Sequence, residues 1–333
     1  MNPVTGSILQ KLVSASGFVS GGDLCRELDM TRSAVWKHIV LLRESGYGIE
    51  AVSGRGYRLT SLTGAPVAEE VVPLLTTSTF GRNFVYLETS ESTNLHARAL
   101  ARSGAPAGTV VVADSQTGGR GRMRRTWVSP PGVNLYCSVV LRPPVPSVRI
   151  PEIPLVAAAA IHGALVDFCA GLTLFIKWPN DILCRGQKLC GILCEMESEP
   201  DFTHFVVVGF GVNVNLDPVP EDLQGIASSI AIETGRAASR AGTLAAVLNR
   251  FEQLYLEWLT QPDLGFLLPC LEQHAWLKDR DVRIEQFERV LDGTVLGMNP
   301  QGQLLLKRDD GTVMAITSGE AHLRFINDQP RPV

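Results

Sequence analysis

The chain lacks the short motifs that usually announce a phosphate site or a covalent nucleophile. GxxxxGK[ST], HExxH and GxSxG do not occur, and the GxG triplets at Gly54, Gly119 and Gly209 each lack the third glycine of a dinucleotide fingerprint. A bound nucleotide must therefore be held in another way, and a serine or cysteine acyl-enzyme has no support. Paired cysteines are lacking too: seven Cys is an odd number and no CxxC occurs. Cys184, Cys190 and Cys194 cluster, two of them in the apolar run KLCGILCEM, so buried thiols of a reduced, cytoplasmic protein are expected and no protein metal site is. No apolar run reaches the ~20 residues of a membrane span, and the start has no charged-then-apolar signal pattern. Nor does charge of one sign dominate. A net charge of −4 excludes a generic polyanion binder. Residues 1–62 are nonetheless mildly basic, with seven Lys/Arg against five Asp/Glu, which leaves −6 for the rest.

In this front segment Leu24 and Leu28, then Val35, Ile39 and Leu42, fall at helical spacing on either side of a break at Asp29-Met30-Thr31. Thr31 is placed to cap the second helix. Arg32, Ser33 and Lys37 are then left at its exposed N-terminal end, as a recognition helix offers side chains to a major groove. YGIEAVSGRGYRLT follows as two short β-like runs joined by SGRG, a hairpin with Arg55 and Arg58 near its tip. Helix-turn-helix plus basic hairpin is the pattern of a winged DNA reader; a small helical interaction module is the alternative. Specific recognition by so small a head implies a dimer on a two-fold site. Residues 63–82 read as a linker without strong period.

From residue 84 strands and helices alternate. FVYLE, TVVVA, NLYCSVVLRP, LTLFIKW, KLCGILCEME and HFVVVGFGVNVN read as strands, NLYCSVVLRP as a half-buried one. STNLHARALARSG and PLVAAAAIHGALVDFCAG read as helices. The last connections are too short for crossover helices, so an α/β domain with a mixed or largely antiparallel sheet is expected.

Three clusters in this domain carry chemistry. In GGRGRMRRTW (118–127), Arg120, Arg122, Arg124 and Arg125 repel one another unless an anion sits among them, while Gly118, Gly119 and Gly121 loosen the empty loop. A loop disordered when empty, ordered over a carboxylate or phosphate and able to act as a lid is expected. KWPND (177–181) ends a strand in a turn, and Lys188 opens the next apolar strand, an odd place for a charge unless an anion awaits it. In GFGVNVN (209–215), Gly209 and Gly211 suggest bare backbone against a ligand, and Asn213 and Asn215 on the same face could fix a polar ring.

Taken in order, STN at 92–94, GRGRMRRTW at 119–127, KWPND at 177–181, GQKLCGILCE at 186–195 and GFGVNVN at 209–215 resemble the bacterial biotin–protein ligases of the bifunctional kind, ligase and biotin-operon repressor in one. TRSAVWKHI and GRGYRL resemble that family's recognition helix and wing. The stretch from Arg280 to Arg324 resembles its small SH3-like barrel, with turns expected at DGT, NPQGQ and DDGT.

The resemblance implies an α+β multidomain chain: a winged helix-turn-helix over 1–62, the linker 63–82, a biotin- and ATP-binding catalytic domain over 83–272 and the barrel over 273–327. It implies formation of biotinyl-AMP from biotin and ATP with Mg²⁺, then transfer of biotin to a lysine of a biotin carboxyl carrier protein. Operator DNA and a ligand-promoted homodimer are the other implied partners, with no membrane. By the same resemblance Ser92, Thr93, Asn94, Gln116, Trp127, Gly119, Gly121, Gly191 and Gly209 would surround biotin. Arg120, Arg122 and Arg125 would close over its carboxylate and the phosphate. Lys177, Trp178, Asn180 and Asn213 would stand near the nucleotide. Lys188, with Arg122, would stabilise charge on the α-phosphate, and Asp181 would orient or deprotonate the acceptor lysine. A biotin sensor without ligase activity and a lipoate–protein ligase are the alternatives. One departure is plain: the family's loop expects glycine where Arg124 stands, and arginine adopts φ > 0 only at a cost.

Overall fold

The computed structural model describes residues 2–199, 202–286 and 289–324. The front unit has one helix more than the sequence pattern showed. Asn2 caps α1 (Pro3–Ser14) by accepting from the Val4 amide at 2.9 Å. Helices α2 (Gly21–Glu27) and α3 (Arg32–Glu44) follow, then the antiparallel hairpin β1 (Gly48–Val52) and β2 (Gly56–Ser61). Ile8, Leu9 and Leu12 of α1 join Leu24, Val35, Ile39 and Leu42 in a core separate from the rest of the chain. The break between α2 and α3 runs through Asp29 at φ 50°, and Thr31 caps α3 as expected, accepting from the Ala34 amide. Only glycine fits at position 56, where φ is 103° and a Cβ would lie 2.0 Å from the Val19 carbonyl oxygen.

The linker is more ordered than its lack of period suggested. It holds α4 (Ala68–Val71), a single turn too short to show helical spacing. Glu70, 2% exposed, accepts from the Thr63 and Gly64 amides and the Thr63 hydroxyl. At its far end Glu252 takes the amides of Ser78, Thr79 and Phe80.

Next come β3 (Phe84–Ser90), α5 (Thr93–Arg102), β4 (Val110–Gln116), β5 (Leu135–Leu141), α6 (Ile153–Phe168), β6 (Leu174–Lys177), β7 (Asp181–Cys184), β8 (Gln187–Ser198) and β9 (Thr203–Val212). They form one seven-stranded sheet in the order β3-β4-β5-β9-β8-β7-β6, with β3–β4 its parallel pair. This is the expected mixed sheet, with two corrections. All seven residues of β5 are buried rather than half of them, because the strand is interior and covered on both faces. Its Leu135, Cys137, Val139 and Leu141 face the α6 side, while Val140 packs with Ala97 and Ala101 of α5. The strand β7 was hidden inside the KWPND turn, since four residues are too few to alternate visibly. The segment Ser147–Phe168 holds an 18-residue window apolar enough to cross a membrane by composition, yet 72% of that window is buried here, the place of a core helix. Cys184 and Cys190 are buried and Cys194 half-buried; burial pushes the Cys184 thiol up to about 11 and Cys194 up to about 12.

Helices α7 (Ile230–Thr234), α8 (Arg240–Thr260) and α9 (Leu268–Gln273) lead to β10 (Asp281–Gln286), β11 (Arg289–Met298), β12 (Leu304–Lys307), β13 (Val313–Ile316) and β14 (Glu320–Leu323). These last strands make an all-antiparallel sheet, β13-β12-β11-β10-β14, where the small barrel was expected; residues 325–327 of that expected domain lie outside the described ones. NPQGQ and DDGT are turns, with Gly302 and Gly311 at positive φ. DGT at 292–294 is not a turn but lies inside β11. Asp292 pairs across strands with Arg283 at 3.0 Å, and glycine is required at 293 because a Cβ would sit 2.4 Å from the Lys307 carbonyl oxygen.

Candidate active site and DNA-facing surface

One cavity of about 280 Å³ gathers nearly all the residues singled out in the catalytic domain. Its polar end is built where β3 runs into α5. Ser92 begins α5 without a side-chain cap bond, so its hydroxyl is not spent there. The Thr93 amide donates to Gln116 Oε1 at 2.9 Å, and Gln116 Nε2 donates to the Ser129 hydroxyl at 3.0 Å. Asn94 also borders the cavity, but its amide is consumed by the fold: Nδ2 donates to Glu195 and to the Leu193 carbonyl, and Oδ1 accepts from Ser138.

The glycine face of β8 and β9 lines the cavity, through Gly191, Gly209 and Gly211, and also makes room for two of its side chains. Gly191 and Gly211 lie opposite each other, and the Trp127 indole covers both. A Cβ would come within 2.8 Å of that ring at Gly191 and 2.5 Å at Gly211, and within 2.0 Å of Asn94 Oδ1 at Gly209. The glycines therefore admit Trp127 and Asn94, which in turn shape the cavity. Trp127 holds its ring 5.4 Å from the Lys188 ammonium, and its indole N–H is buried without an acceptor among the described residues.

The arginine segment is a compact turn closed by Gly121 N–H to the Arg125 carbonyl at 2.8 Å and Trp127 N–H to the Gly119 carbonyl at 2.9 Å. Like charge is offset by the protein's own acceptors. Arg120 pairs with Glu91, Arg122 donates to Asn180 Oδ1 at 3.1 Å, and Arg125 pairs with Glu320 of β14. Gly121 lines the cavity, but Gly119 does not: the space its side chain would fill is held by the Trp127 carbonyl and the Ser129 hydroxyl. The departure from the family pattern has a visible consequence, for Met123 and Arg124 both sit at positive φ, 54° and 60°.

The KWPND turn supplies the next wall. Trp178 donates its indole N–H to Gly302, fastening the turn to the last domain, and Asn180 Nδ2 donates to the Ile192 carbonyl at 2.8 Å. Lys188 Nζ lies 2.8 Å from Asp181 Oδ1, an ion pair whose oxygen makes no aligned hydrogen bond. Burial lowers the Lys177 pKa, with Asp181 pulling it up and Lys188 pushing it down. Asn213 lines the cavity yet is pinned, donating to the Ser228 carbonyl and accepting from Asn134; Asn215 is spent on both backbone groups of Ala238. Neither asparagine is poised to hold a ring. Residues the sequence did not single out complete the wall: Leu216, Leu223, Ile226 and Ala227 from an irregular loop, and Glu320 and Ala321 from β14. The loop has no periodicity to betray it, but it is stitched to the start of β8 by Lys188 N–H to the Ile226 carbonyl at 2.8 Å.

On the front unit Thr31, Arg32, Ser33 and Lys37 are exposed along one face of α3. Arg55 and Arg58 of the hairpin stand 4.2 and 4.8 Å over the Phe18 ring, and Arg58 also pairs with Glu50.

Comparison with known proteins gives this arrangement its class. Residues 86–213 match the Biotin/lipoate A/B protein ligase family, and residues 6–58 match an HTH domain. The biotin protein ligase from Aquifex aeolicus in complex with biotin and ATP shares the fold at a TM-score of 0.63 and 29% identity, over 73% of this chain and 99% of that one. The bifunctional ligase/repressor BirA of Bacillus spizizenii is 39% identical over 90% of this chain and 92% of its own, and that of Escherichia coli 31% identical over 94% and 95%. The chain belongs to the family of bifunctional biotin-ligase/repressors.

Proposed function

We propose that the chain is an ATP-dependent biotin–protein ligase that also acts as a biotin-responsive, DNA-binding repressor, working in the cytoplasm. The observation that carries the ligase reading is the convergence of Lys188, Asp181 and the arginines 120, 122 and 125 on one cavity with a polar far end. A biotin carboxylate attacks the α-phosphate of ATP, the bond to the β-phosphate breaks and pyrophosphate leaves. An acceptor lysine of a biotin carboxyl carrier domain then attacks the acyl carbon, and AMP leaves. Ser92, Thr93 and Gln116 hold biotin's ureido head, and the arginines hold the carboxylate and phosphate. Trp127 offers its unpartnered N–H to the intermediate. Lys188 exchanges Asp181 for the phosphate, and the carboxylate it releases orients and deprotonates the acceptor amine. Both carboxylates lining the cavity already face a cation, Asp181 with Lys188 and Glu320 with Arg125. Mg²⁺ therefore fits as an ion carried on the oxygens of ATP and water, neutralising phosphate charge, rather than one held by the protein.

Repression requires a link between site and surface. Arg122 holds Asn180, and Asn180 holds Ile192 both ways, its carbonyl accepting from the Ile192 amide at 2.9 Å. Beyond Ile192, β8 pairs with β9 but not with β7, which leaves one backbone edge for a second copy. Ligand on Arg122 would thus act on the edge that joins two subunits, and two subunits bring two DNA heads together.

The test uses ATP labelled at the α-phosphate, biotin, Mg²⁺ and a biotin-acceptor domain added later. Labelled biotinyl-AMP should appear and then vanish as the acceptor gains biotin. Biotin bound without adenylate would mean a sensor. A second expectation concerns the loop. Arg124 stands at φ 60° and does not line the cavity. Arg124→Gly should relieve roughly 1–2 kcal/mol of left-handed strain, partly offset by a looser open chain. Release of biotinyl-AMP should slow several-fold, and an unchanged dissociation rate would refute this account of the turn.

A further inference from the structure

We propose that Trp36 is a base-reading residue, contacting the 5-methyl group of a thymine in the major groove. The inference rests on the DNA-reading role proposed above and names the side chain that gives it sequence preference. Trp36 is 55% exposed in the middle of α3, although Val35, Ile39 and Leu42 on the adjoining face, centred about 90° away around the helix, are buried. Among the described residues its ring enters no aromatic or cation–π pair. So large an apolar surface is left in water where a fold that needed only a soluble face would carry a charge.

Its position on the helix defines the occupant. At about 100° per residue, Trp36 stands about 40° from Arg32 and about 60° from Ser33, inside the arc of about 140° bounded by Arg32 and Lys37. No groove can admit those three polar side chains without meeting the indole. Val40, at about 80°, lies in the same arc, while exposed Leu41, at about 180°, falls outside it. The charge within the arc is basic, with Arg32 and Lys37 at its edges, and the hairpin adds Arg55 over Phe18, while Arg58 is paired with Glu50. Such cations suit phosphates, which set register and carry no sequence information. Arginine can read guanine edges too, but the apolar indole face complements one feature of the major groove, the thymine methyl.

The experiment selects a random-sequence duplex library on the full chain with biotin and MgATP. Wild-type protein should enrich a sequence, and Trp36→Ala should bind it about tenfold or more weakly, with relaxed choice at one thymine. Replacing that thymine by deoxyuridine should weaken wild-type binding several-fold and leave Trp36→Ala binding unaffected. Equal loss in both proteins, or equal affinity of the two for the selected duplex, overturns the inference. Failure of wild-type protein to enrich any sequence overturns the DNA-reading role itself. A change in subunit association without a change in DNA affinity would instead make Trp36 part of a protein interface. If Trp36→Ala does not fold, Trp36→Gln, which suits an exposed helix position, takes its place in both comparisons.

Discussion

Replacing Lys188 with alanine is expected to lower biotinyl-AMP formation about 10²–10³-fold, the usual cost of removing one preorganised group from a developing oxyanion. The side chain is already held in place before any ligand arrives. Its ammonium is 2.8 Å from Asp181 and 5.4 Å from the Trp127 ring centre, and the backbone on either side is fixed by the Ile226 carbonyl and the Ser228 amide. Biotin alone should bind with a much smaller loss, since the polar end at Thr93 and Gln116 makes no use of this lysine. The split between binding and chemistry separates transition-state stabilisation from collapse of the site. Pyrophosphate release measured at saturating ATP and biotin checks it. A reduction below tenfold, with the cavity intact, would move the α-phosphate contact to one of the arginines. Lys177 is the residue to watch in such a result, because it shares the cavity and its charge is already opposed by burial and by Lys188.

How much of this was legible in sequence differs between elements, for physical reasons. Helix α3, the 16-residue α6 and the long apolar strands were readable because each repeats a period several times. Helix α4 and strand β7, with four residues each, repeat nothing. Motif residues were found where side-chain type announces chemistry: Arg120, Arg122, Arg125, Lys188 and Asp181 do meet in one cavity. Asn213 and Asn215 mislead because amides serve backbone pinning as readily as ligand binding, and only contacts tell the two apart. The glycines of β8 and β9 line the cavity and carry a second meaning as well. They do mark close approach, but what approaches Gly211 is Trp127 and what approaches Gly209 is Asn94. Glu320 was invisible for another reason: its partner Arg125 is almost two hundred positions away in the chain, and no local pattern encodes such a pairing.

The second large effect is acid destabilisation centred on His162. This ring is buried in α6, donates through Nε2 to the Leu174 carbonyl at 3.1 Å, and packs on His274 with centroids 4.2 Å apart. Burial, and then the neighbouring imidazole, lower its pKa to about 4, against the pull of Asp167; burial lowers His274 as well. The folded chain thus binds fewer protons here than the unfolded chain, whose histidines titrate near 6.5. Stability is therefore flat above about pH 6.5, falls as the pH drops from there toward 4, and loses on the order of 3 kcal/mol in all. Most carboxylates act lower, since their unfolded values lie near 4, so the window from about pH 6.5 to 5 belongs mainly to this pair. His162→Gln keeps an N–H for the Leu174 carbonyl and cannot take up a proton. Urea midpoints measured across that window should slope clearly for the wild-type protein and less for the variant. Parallel slopes would show that His162 takes up its proton in the folded chain as readily as in the unfolded one. The consequence reaches the active site, because Leu174 opens β6, whose other end is Lys177 and the turn that holds Asn180 and Asp181. Acid should therefore loosen that turn before it unfolds the front unit, which has its own core.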